Sequence, residues 1–252
     1  MRESTLRGKK VIITGAASGM GRSLAQLAVE QGATVALLDV NEAGLKETVD
    51  SVAEGKATAV VTDLTDWESV EAGVARSVEA LGGLDAVCNV AGWDVPGRFW
   101  EQSLDFWEKV VNINLWGVLY MYRATIPILR EQGSGTVVNV ASDAGRVGSK
   151  GETVYAAAKG GVIALTKSLA RELASSGVTT NCVCPGPMMT PLFEAELESD
   201  PKLTEKLVRA IPMRRVADPA EPAGVVAFLA SDAASYMTGQ VVSVSGGLTM
   251  AG

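Results

Sequence analysis

Tyr155 and Lys159 stand four residues apart in "VYAAAKGG" (154–161), with nothing polar between them. On a helix, residues i and i+4 share a face, about 6 Å apart along the axis. A phenol with a pKa of about 10 is a poor base at neutral pH. An ammonium group beside it favours the phenolate, so the pair can move a proton to or from a substrate. Taken alone, the same spacing is also that of an ordinary helix surface pair. Ser142, thirteen residues before Tyr155 in "ASDAG" (141–145), adds a hydroxyl able to donate to, or accept from, the same substrate oxygen. The chain has no histidine, which removes His-based triads and His-containing metal sites.

A second constellation lies near the start. Gly15, Gly19 and Gly21 in "TGAASGMG" (14–21) follow an apolar run and precede a helical pattern. Glycines there let the backbone approach a pyrophosphate, and the N–H groups of the next helix, including those near Ser18 and Met20, face the anion. The spacing G-x-x-x-G-x-G differs from the G-x-G-x-x-G fingerprint. Asp39, eighteen residues past Gly21 at the end of "TVALLD", is placed to accept from an adenosine ribose diol and to repel a 2′-phosphate. No Lys or Arg lies within the glycine turn or just after Asp39, so the expected cofactor is NAD rather than NADP. The competing reading of Asp39 is a cap for the helix starting near Asn41.

The elements that must position these groups alternate along the chain. Strands are expected at 9–14, 34–39, 57–62, 84–89, 135–141, 178–184 and 240–245, mostly as continuous apolar runs of the kind buried on both faces of a parallel sheet. Amphipathic segments such as 66–82 lie between them. The pattern predicts a doubly wound α/β sheet in a single domain spanning 1–252. The irregular stretch 185–201, with Pro185, Pro187 and Pro191, reads as the beginning of a substrate loop over about 186–212. The net charge of −7 argues against nucleic acid. The opening "MRESTLRGKK" has no apolar signal region and no run of eighteen apolar residues follows, so the expectation is a cytoplasmic protein without a membrane span. Cys88, Cys182 and Cys184 fall in apolar runs and read as buried free thiols.

Together the motifs carry a resemblance over essentially the whole chain. Thr14-Gly15-x-x-x-Gly19-x-Gly21, Asp63, Asn89-x-Ala91-Gly92, Asn114 in "INLWG", Ser142, Tyr155-x-x-x-Lys159, Pro185-Gly186 with Thr190, and the ending "TGQVVSVSGG" resemble the short-chain dehydrogenase/reductase family. The resemblance implies a Rossmann-type sheet of seven strands in the order 3-2-1-4-5-6-7, a homotetramer, and NAD(P)-dependent interconversion of an alcohol and a carbonyl. It implies that Tyr155 is the acid/base, that Ser142 orients the substrate oxygen, that Lys159 binds the nicotinamide ribose and lowers the tyrosine pKa, and that Asn114 holds a relay water. Asp63, with Leu64, would meet adenine; Thr190 and the backbone near Met188 would meet the carboxamide. Two positions depart from the family pattern: Val90 replaces an asparagine, and Ser245 stands where an aspartate precedes the last glycine pair.

The substrate wall is expected from Trp93, Asp94, Asp143, Arg146, Val147 and Glu152, and from Met188, Met189, Leu192 and Phe193 of the loop. "AGWD", "NVASDAGRVGSKGETVYAAAKGG" and "CPGP" further resemble a group within the family, the 2-hydroxycyclohexanecarboxyl-CoA dehydrogenases. That implies oxidation of a ring hydroxyl β to a thioester, with Arg98, Arg146, Lys150, Arg209, Arg214 and Arg215 as candidates for the CoA phosphates. The alternatives are a dehydrogenase of free cyclic or aryl secondary alcohols and a 3-oxoacyl thioester reductase. A non-catalytic NAD-binding scaffold would keep the glycine turn and Asp39 but would not need Ser142, Tyr155 and Lys159.

Overall fold

The structure, a computed structural model, describes residues 5–191, 193, 194 and 201–250. Seven strands form one parallel sheet: β1 (Lys10–Thr14), β2 (Thr34–Asp39), β3 (Ala57–Val61), β4 (Ala86–Asn89), β5 (Gly135–Val140), β6 (Val178–Pro185) and β7 (Val241–Val244). Their order is β3-β2-β1-β4-β5-β6-β7, as expected. The helices are α1 (Gly19–Glu30), α2 (Glu42–Asp50), α3 (Trp67–Leu81), α4 (Leu104–Val111), α5 (Gly117–Gln132), the short α6 (Ala144–Val147), α7 (Thr153–Leu173), α8 (Pro201–Ala210) and α9 (Ala220–Ala230).

Alternation along each strand divides the core in two. Val11 and Ile13 of β1, with Val35 and Leu37 of β2, pack against Leu24 and Ala28 of α1 and Val226 of α9. Ile12, Ala36 and Leu38 point the other way, onto the layer of Val70 and Val74 from α3, Met121 from α5 and Val162 from α7. The edge strand β3 departs from the expected two-sided burial: only Val60 is buried, because no strand lies beyond it. The helix ends are set locally. Asp66 accepts the Glu68 N–H at the start of α3, and Gly82, at φ 67°, ends it in the left-handed conformation. Asn41 caps α2 by accepting from Gly44.

Between α4 and α5 the helix does not break. It widens into one π turn, Asn112–Trp116, where the Gly117 N–H reaches back five residues to the Asn112 carbonyl. A π turn inserts a residue into the helical ladder and redirects side chains; here it aims Asn114 at the sheet edge. No described helix is long and apolar enough to cross a membrane.

Candidate active site

In the order 3-2-1-4-5, the progression of strands across the sheet reverses between the parallel neighbours β1 and β4, the switch point at whose carboxyl ends a crevice is expected. The glycine turn and the Asn89–Gly92 turn meet there. A Cβ at Gly15 would lie 2.7 Å from Ala91 Cα, and one at Gly21 would lie 2.0 Å from the Gly15 carbonyl oxygen, so both positions require glycine. The Thr14 hydroxyl accepts from the N–H groups of Val90 and Ala91 at 3.0 and 3.2 Å, stapling the two turns. Val90 therefore leaves the backbone approach in place, and its side chain packs on the α1 side of the core. Ser18 is exposed at the start of α1, whereas Met20 turns its side chain into the core and offers only backbone to the crevice.

Asp39 is not the cap of α2. Its carboxylate accepts from the Ala17 N–H at 3.1 Å and the Asn41 N–H at 3.0 Å, fixing it beside the glycine turn with acceptor capacity left over. Asp63 is exposed and holds Thr65 through the N–H and hydroxyl at 2.8 and 2.7 Å, next to the partly buried Leu64. Thr190 reaches over from the far side: a Cβ on Gly19 would lie 3.4 Å from its methyl. The loop carrying Thr190 is held by a bridge from Met188 to Ala217 and by the Met189 N–H on the Ala217 carbonyl at 2.9 Å. Gly186 lies flat against Ser245, where a Cβ would approach the Ser245 Cβ to 2.7 Å; Ser245 Oγ in turn accepts from Thr249. These residues form a cradle lined by backbone N–H groups and two acids, Asp39 and Asp63, which suits an adenine dinucleotide. Asn89 Oδ1, buried at the same edge, has no hydrogen-bond partner among the described residues.

The reactive side chains converge beside this cradle. Ser142 follows β5, its Oγ accepting the Ala144 N–H at 3.1 Å, and its hydroxyl acts on the phenol of Tyr155 in the first turn of α7. Lys159 is buried one turn on. Its Nζ donates to the Val140 carbonyl at 2.9 Å and sits 5.6 Å from the centre of the Tyr155 ring. A Cβ on Gly92 would lie 3.2 Å from Lys159 Nζ and 3.0 Å from Asn114 Oδ1, so the second turn presses directly on these groups. Burial pushes the Lys159 pKa down to about 8, opposed by the thiols of Cys182 and Cys184. The phenol of Tyr155 moves the other way. Burial first, then the Glu152 carboxylate, raise its pKa above the ordinary value, while the Ser142 hydrogen bond lowers it. The lowering expected from Lys159 does not appear: the phenol is raised, and the group that lowers it is Ser142.

Asn114 clamps Trp93. Its Nδ2 donates to the Trp93 carbonyl (2.7 Å) and the Val110 carbonyl (2.9 Å), and its Oδ1 accepts from the Trp93 N–H (3.2 Å). Both amide protons are engaged, so any water held here meets Asn114 through an acceptor. Trp93 packs on Phe106, with Lys109 Nζ 3.9 Å from the ring centre; neither partner was expected. Asp94 is buried and Glu152 partly buried. Asp143 and Arg146, expected on the substrate wall, both reach Ser243 of β7. Val147 and Met189 are exposed, Met188 and Phe193 are partly buried, and Leu192 lies outside the described residues. Of the candidate phosphate-binding groups, Arg98, Arg209 and Arg215 pair with Glu101, Glu205 and Glu221, and Arg214 donates to the Arg209 carbonyl.

Beneath the site runs a polar chain that the sequence reading missed. Asn89 Nδ2 donates to Asn139 Oδ1 at 2.9 Å, and Asn139 Nδ2 donates to Tyr122 Oη and Thr166 Oγ1, both at 2.8 Å. Tyr122 continues to Thr180. An asparagine inside the otherwise apolar "GTVVNVA" was the available signal.

Known proteins place the chain. Residues 15–249 match the profile of a family described as Enoyl-(Acyl carrier protein) reductase. The chain belongs to the short-chain dehydrogenase/reductase family. A 3-oxoacyl-[acyl-carrier-protein] reductase of Thermotoga maritima is 38% identical over 251 residues, covering 97% of this chain and 99% of the relative. Oxidoreductase UcpA of Salmonella typhimurium is 39% identical over 253 residues, covering 97% and 96%. A solved structure from Sinorhizobium meliloti 1021, provisionally named a short-chain alcohol dehydrogenase, superposes with a TM-score of 0.92 at 32% identity, covering 97% of this chain and 98% of that one. Short-chain dehydrogenases/reductases are nicotinamide-dependent oxidoreductases acting on CH–OH and ketone groups, and this chain is one of them.

Proposed function

We propose that the chain is an NAD-dependent dehydrogenase that interconverts a secondary alcohol and a ketone lying β to a thioester, with a 2-hydroxycyclohexanecarboxyl-CoA as the specific substrate. The observation that carries the reading is the convergence of Ser142, Tyr155 and Lys159 beside the glycine cradle. Tyr155 Oη takes the hydroxyl proton when the alcohol is oxidised and returns it when the ketone is reduced. Ser142 donates to the same substrate oxygen and holds the phenol in line. Lys159, tethered to Val140, presents its ammonium below the tyrosine and toward the ribose position next to Gly92. Asn114 fixes the Trp93 turn that closes the substrate side. The nicotinamide, when bound, supplies the hydride acceptor or donor. Gly15, Ser18, Gly19, Met20 and Gly21, with Asp39, Asp63, Leu64, Asn89, Ala91, Gly92, Pro185, Gly186, Met188 and Thr190, would hold the dinucleotide.

A β-oxygenated thioester is common to the ring acyl-CoA reading and to relatives named 3-oxoacyl-[acyl-carrier-protein] reductase. The second reading, a free cyclic or aryl alcohol, is favoured by the pairing of Arg98, Arg209 and Arg215 with glutamates, which leaves few cations for CoA phosphates. The proposal extends to a single domain with its substrate loop at about 186–212, a homotetramer, and a cytoplasmic location. A panel of 2-hydroxycyclohexanecarboxyl-CoA, 3-hydroxybutyryl-CoA, cyclohexanol and 1-phenylethanol, each with NAD and NADP, separates the readings by the absorbance of the reduced nicotinamide. The thioesters with NAD should give the highest kcat/KM. Inert thioesters beside active free alcohols would remove the leading substrate.

A further inference from the structure

Ser142 stands between the end of β5 and the single turn of α6, a segment too short to hold its own position. The segment is wedged from two sides. The Asp143 N–H reaches the Pro185 carbonyl of β6 at 3.4 Å. Gly145 lies flat against α7, where a Cβ would stand 2.7 Å from the Gly160 nitrogen and 2.9 Å from the Lys159 Cβ. The third anchor is a side chain of β7. Ser243, opposite Cys184 in the β6–β7 pairing, meets both Asp143 and Arg146 through its one hydroxyl. A guanidinium only donates and an ionised carboxylate only accepts, so the directions are fixed. Arg146 Nη1 donates to Ser243 Oγ, and the Ser243 hydroxyl donates to Asp143 Oδ1. Asp143 is buried, and its Oδ2 has no hydrogen-bond partner among the described residues. The Ser243 hydroxyl is therefore the one donor that the described residues give this carboxylate.

We infer that Ser243 is a positioning residue for the reaction: its hydroxyl, locked between Arg146 and Asp143, pins the Ser142 turn to β7 and sets where the Ser142 hydroxyl stands. The inference rests on the alcohol–ketone reading of this site, in which Ser142 orients the substrate oxygen. A buried carboxylate is costly unless it is hydrogen-bonded. Without the Ser243 hydroxyl, Asp143 must move toward water or take up a proton. Either change acts on the residue next to Ser142. It also spreads through α6, because the Asp143 carbonyl accepts the N–H groups of Arg146 and Val147 at 2.9 and 3.1 Å. A reacting group displaced by a fraction of its own radius loses rate steeply, since the productive geometry is narrow.

The test is a double-mutant cycle on the full chain, read by single-turnover reduction of the best ketone in the panel, with NADH binding titrated on each sample. Ser243→Ala should slow hydride transfer by roughly 10–100-fold while the NADH dissociation constant stays within about twofold. Ser243→Thr keeps the hydroxyl and should restore the rate to within about threefold of wild type. In a Ser142→Ala background, adding Ser243→Ala should slow the reaction by less than about twofold, because the group it positions is gone. Ser243→Cys, with the same shape and a weaker donor, repeats the cycle if the alanine variant does not fold. A wild-type rate in Ser243→Ala, or equal losses in the two backgrounds, would overturn the inference and leave the role of Ser142 standing. A wild-type rate in Ser142→Ala alone would instead remove that role, and the inference with it.

Discussion

The two halves of the crevice are built differently. The cofactor side, from the glycine turn to Asp39 and Gly92, is made of backbone. Its critical distances are those at which a single added carbon would collide, and its hydrogen bonds run mostly between N–H groups and fixed oxygens. The reactive side, from Ser142 to Lys159, is made of side chains held in a desolvated pocket, with their proton affinities pushed apart. Steric defects should therefore fail at binding on the first side, and chemical defects should fail at turnover on the second.

The largest expected separation comes from Ser142→Ala, which should lower kcat by roughly 10²–10⁴, the scale of a lost acid/base contact, while NADH binding changes little. A comparable loss of NADH affinity would merge the two halves. Gly21→Ala should do the reverse. With only 2.0 Å available to the new carbon, the turn must move, and NADH affinity measured by fluorescence titration should fall at least about tenfold. Retained affinity would show that the turn is soft.

Lys159 sharpens the electrostatic half. Burial lowers its pKa from 10.5 to about 8, so between those values the unfolded chain binds more protons than the folded one, and stability should rise with pH across that window. The difference in urea unfolding free energy between wild type and Lys159→Met should grow by on the order of 3 kcal/mol from the lower to the upper end. A flat difference would mean that the lysine is not desolvated. The smallest effect is expected from Asp39→Ala, which should relax the preference for NAD over NADP by about tenfold, as a like-charge contact is lost. Unchanged discrimination would leave Asp39 as a backbone anchor for Ala17 and Asn41 alone.

The same contrast explains what could be read in the sequence. Strand β2 matches the expected 34–39, and the other strands end within two residues of expectation, because continuous apolar runs demand burial between two helical layers. The glycine turn, Tyr155 and Lys159 were legible for a local reason: their spacing along one turn or one helix face already fixes their geometry. The misses depend on distant partners. The π turn that aims Asn114 at Trp93 leaves no composition signal. Asn139 is one polar residue in an apolar strand until Asn89, Tyr122 and Thr166 surround it. Asp143 and Arg146 sit beside Ser142 in sequence, yet Ser243, a hundred residues on from Asp143, draws both to β7. The phenol of Tyr155 is raised rather than lowered because burial and Glu152 act together, and neither shows in a four-residue spacing.

The central claim is that Tyr155 carries the proton while the cradle independently holds the dinucleotide. Tyr155→Phe removes one oxygen and leaves the ring, Lys159 and every backbone contact of the cradle in place. Single-turnover reduction of the best ketone in the panel, with NADH binding titrated on the same sample, measures both halves at once. The account predicts hydride transfer slowed by at least about 10³ with the NADH dissociation constant within about twofold of wild type. A wild-type rate of hydride transfer in Tyr155→Phe would contradict it.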